Sequence, residues 1–475
     1  MSVSLHVPQQ MMDLLFGHLF PGDGDEHGAV IAASVVSTER GTRLLAHRLF
    51  LAKDGSDYVP GVHGYRMLTA DFVRECVLEC AELKMAYLAV HCHGGTTHVD
   101  FSMTDMESHD RGYPALRDIV DGPPVGGLVF ARDAVAGDIW FADGTRSELE
   151  VMVVAGYPRR ELRPRPASVP PHANERYERQ ARLFGDRGQN LLACQKVGVI
   201  GAGGVGSIIV EQLSRLGVGE VVVVDPDNTE ESNLSRVVGS RSRDVLPLLT
   251  ATHLGGLGRW FARFTRSKVS IAKRHSREAR RNTKVTTVPM SIMEPMAAEH
   301  LVDCDYLFLA ADSMQSRLVF NALVHQYLIP GAQMGAKVQV DKTSGDVLDV
   351  FVTYRPVVPG NGCLWCNELI DSSRLQDEAA DPEERRRQRY VDDVDIHAPS
   401  VITLNGIAAS LAVDGYLMSL TGLLRPKELE WSKFHPQTEE FRVEIPRSDP
   451  DCPECSRVGR LARGRLKRLP TFYRG

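Results

Sequence analysis

Residues 196–236 read KVGVIGAGGVGSIIVEQLSRLGVGEVVVVDPDNTEESNLSR, and this stretch decides the fold of the larger part of the chain. An apolar run at 197–200 meets a glycine cluster, a helix is predicted from Ser207 to Leu216, and an apolar strand at 221–224 ends at Asp225. Strand, glycine-rich turn, helix and strand in this order are typical of a βαβ nucleotide-binding unit. We therefore predict a Rossmann-like α/β domain.

Each part of this unit has a physical role. Glycines permit the positive backbone angles of a tight turn and let a phosphate approach the main chain, and the helix N-terminus offers N–H groups to the anion. Asp225, about twenty residues beyond the turn, is placed to accept a hydrogen bond from a ribose hydroxyl. A glycine fingerprint alone most often indicates a dinucleotide oxidoreductase, which stays open as an alternative. The glycines concerned are Gly201, Gly203, Gly204 and Gly206.

The residues around this unit favour a different class of enzyme. Asp227, Asn233 and Arg236 follow in DPDNTEESNLSR, and RYERQ lies upstream at residues 176–180. Together these motifs resemble the ThiF-like adenylyltransferases, which activate ubiquitin-like and sulfur-carrier proteins. In that family the nucleotide is ATP, and the product is an acyl-adenylate at the C-terminus of the carrier protein.

The resemblance implies roles for individual side chains. It places Asp225 on the ATP ribose and Asp312 on the Mg²⁺ ion that bridges the phosphates. Arg179 would reach a phosphate from the partner subunit of a homodimer. Lys268 follows Arg236 after a longer insert than the family pattern leads us to expect. The residues expected to bind ATP are Gly201, Gly203, Gly204, Gly206, Asp225, Asp227, Asn233, Arg236, Lys268 and Asp312, and those expected to act in catalysis are Arg179, Arg236, Lys268 and Asp312.

The length and composition of the chain set wider limits. A chain of 475 residues is long enough for two or three domains. Its 43% hydrophobic and 24% charged residues are ordinary for a soluble protein, and a net charge of −6 predicts no broad nucleic-acid footprint. No apolar run approaches the roughly 18 residues of a membrane span, and the N-terminus lacks the pattern of a signal peptide. We expect a cytoplasmic enzyme that binds no membrane and no nucleic acid.

Polar stretches divide the chain. Prolines and arginines at 158–175 favour an extended linker between a predicted N-terminal domain at 1–157 and the adenylyltransferase domain at 176–475. Residues 371–397 are too polar to bury. The resemblance to the ThiF-like adenylyltransferases implies that they form the crossover loop of that family. The chain ends in a basic tail at 456–475.

Four of the nine cysteines form two Cys-x-x-Cys pairs, Cys363/Cys366 and Cys452/Cys455. Two such pairs predict a tetrahedral Cys₄ zinc site that is closed to water and therefore structural, an arrangement typical of the same family. No cysteine lies between Cys366 and Cys452, where thioester-forming activating enzymes commonly carry their nucleophile. We therefore expect the adenylate to pass directly to another protein, for example a conjugating-enzyme-like acceptor.

Local patterns predict parts of the N-terminal domain. Thr69 is expected to cap a helix that carries Cys76 and Cys80 as small buried apolar side chains. A turn between strands is expected at Ala136-Gly137.

The N-terminal domain also carries a second set of candidate residues. His91 and His93 alternate along a predicted strand, so both imidazoles project from one face. Asp105 follows His93 by twelve residues, with Ser102 three residues before it, and Glu26 precedes an apolar strand. Two histidines and a carboxylate leave one position of a tetrahedral zinc ion open for water, and Glu26 would take the proton of that water.

These residues resemble the JAB/JAMM (MPN-type) metalloproteases, which cleave ubiquitin-like proteins from what they are attached to. The resemblance covers most of residues 10–157 and implies a catalytic zinc ion on His91, His93 and Asp105, with Glu26 and Ser102 acting in catalysis.

Two departures from the metalloprotease pattern are visible. The spacing from His93 to the serine and aspartate is one residue longer than usual, and Gly94 replaces the usual proline. His98 and Asp100 stay open as alternative ligands, and His109 is expected at the surface or behind the ligands.

The two resemblances together predict a two-domain enzyme of a bacterial-type ubiquitin-like modification pathway. One domain would adenylate the C-terminus of a ubiquitin-like or sulfur-carrier protein, and the other would hydrolyse a peptide or isopeptide bond to that protein. The alternative is sulfur-carrier activation for cofactor biosynthesis, with the N-terminal domain a non-catalytic docking module. The cofactors expected are ATP, Mg²⁺ and two Zn²⁺ ions, one with a structural role and one with a catalytic role.

Overall fold

Two β-sheets organise the chain in the computed structural model of this protein. The structure describes residues 2–60, 66–166, 168, 170, 175–245, 265–341, 344, 346–379, 399–425 and 428–472. Two compact units are distinguished. The first contains Met1–Ser168, His325–Leu328 and Pro453–Arg468, and the second contains Val169–Val324, Ile329–Cys452 and Leu469–Gly475.

The described residues of the first unit form nine strands and three α-helices. The strands are β1 (Val3–Pro8), β2 (Gly28–Thr38), β3 (Gly41–Leu51), β4 (Ala86–Cys92), β5 (Val125–Phe130), β6 (Val135–Trp140), β7 (Arg146–Glu148), β8 (Val151–Ala155) and β9 (Arg160–Leu162). The helices are α1 (Gln9–Leu19), α2 (Ala70–Leu83) and α3 (Met103–Val120). The strands form one mixed sheet in the order β7-β6-β5-β4-β2-β3-β1-β8-β9.

Alternation along β2 gives this sheet an apolar layer on each face, because successive side chains of a strand point to opposite sides. Ala29, Ile31 and Ala33 belong to the core that includes α1, whereas Val30 and Ala32 belong to the core that includes α2 and α3. Helix α2 begins after Thr69, whose hydroxyl accepts a hydrogen bond from the Phe72 N–H, which confirms the predicted cap.

The cysteines of α2 are part of the second of these cores. Cys76 and Cys80 are buried, and burial raises the pKa of each thiol to about 12. Both side chains therefore act as small apolar groups, as the sequence predicted.

Three features of the first unit differ from expectation or go beyond it. Ala136-Gly137, predicted as a turn, lies inside β6, since Gly137 leaves room for Leu149. The stretch predicted as a linker begins with strand β9, which pairs with β8. Part of the basic tail belongs to this unit, because the Ser34 hydroxyl donates to the Ala462 carbonyl over 2.7 Å. Residues 167, 169 and 171–174 of the linker lie outside the described part.

The second unit has seven helices and eight strands among its described residues. The helices are α4 (Glu178–Cys194), α5 (Gly204–Leu216), α6 (Lys268–Ala279), α7 (Pro295–Glu299), α8 (Met314–Gln326), α9 (Ser372–Ala379) and α10 (Ile402–Thr421). The strands are β10 (Lys196–Ile200), β11 (Glu220–Val224), β12 (Lys284–Val288), β13 (Tyr306–Leu309), β14 (Gly331–Val340), β15 (Val347–Val357), β16 (Trp431–His435) and β17 (Glu440–Glu444). Their order in the sheet is β12-β11-β10-β13-β14-β15-β16-β17.

The predicted βαβ unit is confirmed. Strands β10 and β11 are parallel, with Val197 opposite Val221, and α5 connects them. Helix α10 packs against α5 through a core that includes Ala408, Ala409 and Ala412, whose small side chains allow a close approach. Of the predicted crossover loop, residues up to 379 are described and include α9, and the rest lies outside the described residues. None of the described helices is long and apolar enough to cross a membrane.

His47 on β3 links the stability of the first unit to pH. Its ring nitrogen Nδ1 lies 2.8 Å from the Leu461 carbonyl oxygen, and burial lowers the pKa of His47 to about 4. The unfolded value is about 6.5, so the unfolded chain binds a proton first. The stabilisation is therefore complete above pH 6.5 or so and is lost as the pH falls toward about 4.

We predict that the first unit loses about 2 kcal/mol of stability between pH 7 and pH 5 through this histidine. His47→Gln keeps a hydrogen-bond donor for Leu461 but cannot titrate, so its stability should fall less over the same range. Urea unfolding followed by circular dichroism at both pH values measures the difference. Equal losses in the wild type and the variant would contradict the assignment.

Candidate functional site

A crevice forms where the strand order of the second sheet reverses. Strand β10 has β11 on one side and β13 on the other, and all three are parallel. In sheets of this kind ligands bind outside the carboxyl ends of the strands at such a point. Here that edge carries the glycine turn after β10, Asp225 after β11 and Asp312 after β13.

The glycine turn is tight enough to require glycine. Gly201 has a φ of +95°, and a Cβ atom at Gly206 would lie 1.8 Å from the Gly201 carbonyl oxygen. A Cβ atom at Gly204 would lie 2.2 Å from Nδ2 of Asn405, whereas nothing lies within 4 Å of one at Gly203. The turn therefore packs closely at three glycines and faces open space at the fourth, where a phosphate can approach the backbone.

Asp225 fixes this turn. Its Oδ2 accepts a hydrogen bond from the Ala202 N–H over 2.6 Å, and its Oδ1 accepts one from the Asp227 N–H over 2.9 Å. Burial raises the pKa of the Asp225 carboxyl, while the nearby Lys268 opposes that shift. Lys268 Nζ itself lies 2.7 Å from Asp227 Oδ2, so the predicted phosphate-binding lysine is held at the same edge.

The remaining predicted residues differ in exposure. Asn233 is buried and its Oδ1 accepts from the Glu230 N–H, and Arg236 donates to the Ser232 carbonyl over 2.8 Å. Arg179 on α4 and Asp312 after β13 are exposed. Asp227 thus contacts both Asp225 and Lys268, whereas Arg179 contacts none of the three among the described residues.

Sequence reasoning missed Glu378 on α9. Its two carboxylate oxygens accept hydrogen bonds from the backbone N–H groups of Met314 and Gln315, each over 2.9 Å. These groups belong to the first turn of α8, which begins two residues after Asp312. A carboxylate is favourable at a helix N-terminus. Only the distant packing of α9 brings it there, so no local motif could have revealed it.

The four predicted zinc cysteines converge. One sulfur atom from each of Cys363, Cys366, Cys452 and Cys455 lies within 4.8 Å of the others, and Cys363 Sγ is 3.8 Å from Cys452 Sγ. Three of the four are buried, and the Cys366 N–H donates to Cys363 Sγ. Four thiols at these separations, with no disulfide among the described cysteines, fit a tetrahedral zinc ion.

The N-terminal candidates also converge. Nε2 of His91 lies 3.2 Å from Nε2 of His93 and 3.5 Å from Asp105 Oδ1, and His93 Nε2 lies 3.4 Å from Asp105 Oδ2. Glu26 Oε1 lies 4.0 Å from His93 Nε2. Strand β4 supplies both histidines, and the register that pairs Gly28 with His91 brings Glu26 to the same place.

Asp105 is held by a capping box at the start of α3. The Ser102 hydroxyl and N–H both donate to Asp105 Oδ2, over 2.7 and 2.8 Å, and Asp105 N–H donates back to the hydroxyl. Burial would raise the pKa of Asp105, but the hydrogen bonds from His91, His93 and Ser102 outweigh it and hold the pKa far below its usual range. The carboxylate is therefore ionised and ready to bind a cation.

The two candidate carboxylates, Asp105 and Asp100, have different surroundings. Asp100 is exposed and pairs with Arg165 over 2.5 Å, and His98 is exposed as well. Among the described residues only His91, His93 and Asp105 gather into a group of this kind in the first unit. Two imidazoles and one carboxylate are a donor set that suits zinc with one position left for water.

A buried polar network stands behind this group. His109 on α3, expected at the surface or behind the ligands, is buried, and its Nδ1 lies 2.8 Å from Asp138 Oδ2. Arg146 and Trp140 donate to the same carboxylate. Burial opposes ionisation of Asp138, but these three partners lower its pKa to about 2. Because His109 lies one helical turn after Asp105, the network anchors the turn of α3 that carries Asp105.

We predict that the purified chain binds zinc at both groups. Asp105→Asn should remove the zinc ion of the histidine group and leave the Cys₄ ion, because each group has its own donors. Asp100→Asn is the matched control and should keep both ions. Elemental analysis of the dialysed proteins measures their zinc content. Equal zinc contents of the two variants would contradict a zinc site at Asp105.

Comparisons with known proteins agree with the crevice in the second unit. The profile of the ThiF family matches residues 177–454. The sulfur carrier protein ThiS adenylyltransferase of Bacillus subtilis is 30% identical over 204 residues, which are 42% of this chain and 51% of the relative. The SAMP-activating enzyme E1 of Haloferax volcanii is 44% identical over 73 residues, 15% of this chain and 27% of the relative.

Two further proteins are similar to this chain. The tRNA threonylcarbamoyladenosine dehydratase of Escherichia coli is 26% identical over 183 residues, 38% of this chain and 61% of the relative. The solved structure of E. coli MccB with ATP aligns with a TM-score of 0.42 and 19% identity, covering 60% of this chain and 75% of that chain. The chain covers less than two thirds of the length of each of the three curated relatives.

Proposed function

This chain belongs to the ThiF family, and from that premise we propose that its second unit adenylates the C-terminal carboxylate of a ubiquitin-like or sulfur-carrier protein. The observation that carries the proposal is the meeting of a glycine turn, Asp225 and Asp312 at one edge of the sheet. Relatives named as adenylyltransferases and as an activating enzyme support the same reaction.

The residues at this edge have complementary roles toward ATP. The backbone N–H groups of the glycine turn and the first turn of α5 bind phosphate oxygens. Asp225 accepts from the ribose, and Arg236, Lys268 and Asn233 offset the phosphate charge. Asp312 would hold Mg²⁺, which neutralises charge on the departing pyrophosphate when bound. The carrier carboxylate attacks the α-phosphorus, a new O–P bond forms, and the bond to pyrophosphate breaks.

The fate of the adenylate follows from the cysteines. The chain has no cysteine between Cys366 and Cys452, Cys304 is buried, and Cys194 lies at the end of α4, ahead of β10. We propose direct transfer to a nucleophile of another molecule, such as a conjugating-enzyme-like protein or sulfide. Arg179, exposed on α4, would serve the active site of a partner subunit in a homodimer.

Asp312→Ala should lower ATP–pyrophosphate exchange by about 100-fold or more, because the variant lacks the charge that binds the metal. The assay uses the full chain with a ubiquitin-like protein ending in Gly-Gly, and intact mass spectrometry follows addition of AMP to that protein. Asp414→Ala, a change at an exposed aspartate on α10, is the control. Exchange that is equal in the two variants would rule out this role of Asp312.

We also propose that the first unit is a zinc-dependent peptidase for the same carrier. The convergence of His91, His93 and Asp105 beside Glu26 supports this activity. Zinc bound there would activate a water molecule and polarise the scissile carbonyl. Glu26 would accept the proton of that water and give it to the leaving amine. Burial raises the pKa of Glu26, which suits a group that must both take and return a proton.

Ser102 has a positioning role in this proposal. Its hydroxyl donates to Asp105 and caps α3, so the residue expected to act in catalysis would hold the ligand carboxylate in place.

Glu26→Gln should retain zinc at both groups but lower cleavage by about 100-fold or more. The substrate is a ubiquitin-like protein extended by a C-terminal peptide, and mass spectrometry follows the cut. Glu39→Gln, at an exposed position, is the control. If the wild type with bound zinc does not cleave, the first unit is a docking module. That result would favour the second candidate function, sulfur-carrier activation for cofactor biosynthesis. A cytoplasmic location stays a prediction for either function.

A further inference from the structure

Positive charge is concentrated in one segment of the second unit. Residues 268–284, KVSIAKRHSREARRNTK, contain seven lysines and arginines and one glutamate, in a chain whose net charge is −6. The segment forms α6 and the start of β12, which is the edge strand of the described sheet. The charge is therefore gathered on one side of the second unit.

Four of these cations already have partners. Lys268 pairs with Asp227, Arg274 with Asp244 and Lys284 with Glu220. Arg280 donates to the Val218 carbonyl and lies over the Tyr177 ring. These contacts account for the positive charges of the four residues, which stabilise the fold or belong to the nucleotide crevice.

The other three cations have no such explanation. The side chains of Lys273, Arg277 and Arg281 make no hydrogen bond or ion pair with any residue that the structure describes. Arg277 and Arg281 are exposed. Glu278, the acid beside them, pairs with Arg241 through Oε1. Lys273 and Arg277 stand one helical turn apart, roughly 6 Å along the axis. Like charges at this spacing destabilise a helix, so a bound anion would stabilise it.

The same three side chains line two clefts. One cleft, of about 580 Å³, lies between α6 and β12, and the other, of about 700 Å³, is lined by side chains of α6 together with Arg266 and Arg281. Apart from Val285, their lining residues are polar or charged. Ser270, Asn282 and Thr287 add hydrogen-bond donors to the cations.

The lining favours one class of partner. Protein interfaces depend on buried aromatic or aliphatic anchors, and apart from Val285 no aromatic or aliphatic side chain lines either cleft to pair with one. Single-stranded nucleic acids stack their bases on aromatic side chains, which the lining also lacks. Lysine, arginine, serine, threonine and asparagine are the side chains that contact phosphate and sugar along a duplex.

We propose that Lys273, Arg277 and Arg281 form a binding surface for the phosphate backbone of a double-helical nucleic acid. The surface recognises the shape and the charge of the double helix, and it does not distinguish base sequence. The proposal differs from the expectation based on net charge, because a charge summed over the whole chain cannot reveal a local concentration. The surface is separate from the ATP-binding residues and does not depend on the proposed adenylation.

Fluorescence anisotropy of the full chain with a labelled RNA hairpin and with a labelled DNA duplex tests the proposal. The triple variant Lys273→Glu, Arg277→Glu, Arg281→Glu should bind at least about tenfold more weakly at moderate salt. The slope of log affinity against log salt should fall by about 3, because each of the three cations neutralises one phosphate in the wild type. A neutral triple variant with glutamine at the same positions should have an affinity between those of the wild type and the glutamate variant.

The control variant Arg187→Glu, Arg425→Glu, Arg457→Glu changes the net charge equally at exposed positions elsewhere and should bind like the wild type. Tighter binding of the RNA hairpin than of the DNA duplex would identify the A-form helix as the partner, and the reverse order would identify DNA. Equal weakening by the two glutamate variants, or no binding by the wild type, would overturn the proposal. Displacement by polyglutamate of equal charge would also overturn it, in favour of an acidic protein.

Discussion

The carboxylate of Asp225 is the constraint on which the nucleotide crevice depends. A buried carboxylate is costly unless its oxygens are hydrogen-bonded, and here backbone N–H groups of Ala202 and Asp227 supply those bonds. One of these groups belongs to the glycine turn after β10, and the other follows β11. The two parallel strands are therefore joined at their carboxyl ends by a side chain. The glycine turn is thereby fixed, and its open side is at Gly203.

The contrast between local and distant contacts explains how much the sequence could predict. The βαβ unit, the Thr69 cap and strand β4 depend on patterns within a few residues, and all three are present. Ala136-Gly137 was wrong as a turn because glycine there serves close packing across the sheet. Strand β9 and Glu378 were missed because only distant chain segments give them their place.

The histidine group shows the same division within one site. Period-two alternation along β4 was enough to place His91 and His93 on one face. The capping box of α3 holds Asp105 beside the two histidines, whereas Asp100 forms an ion pair with Arg165. The network of His109 with Asp138 could not be predicted either, since it joins α3 to a strand that follows it in sequence. Short-range spacing thus identified the candidate side chains, and tertiary packing brought three of them together.

Pairing, and not composition, decides which charges of this chain are available. Helix α6 begins with Lys268, which is held by Asp227 at the nucleotide crevice, and continues with Arg274, which is held by the buried Asp244. Those ion pairs fix the helix against its own unit. The side chains of Lys273, Arg277 and Arg281 form no ion pair with any of the described residues. A helix so anchored keeps its charged side in a fixed orientation, and for an extended polyanion such rigidity lowers the entropic cost of binding.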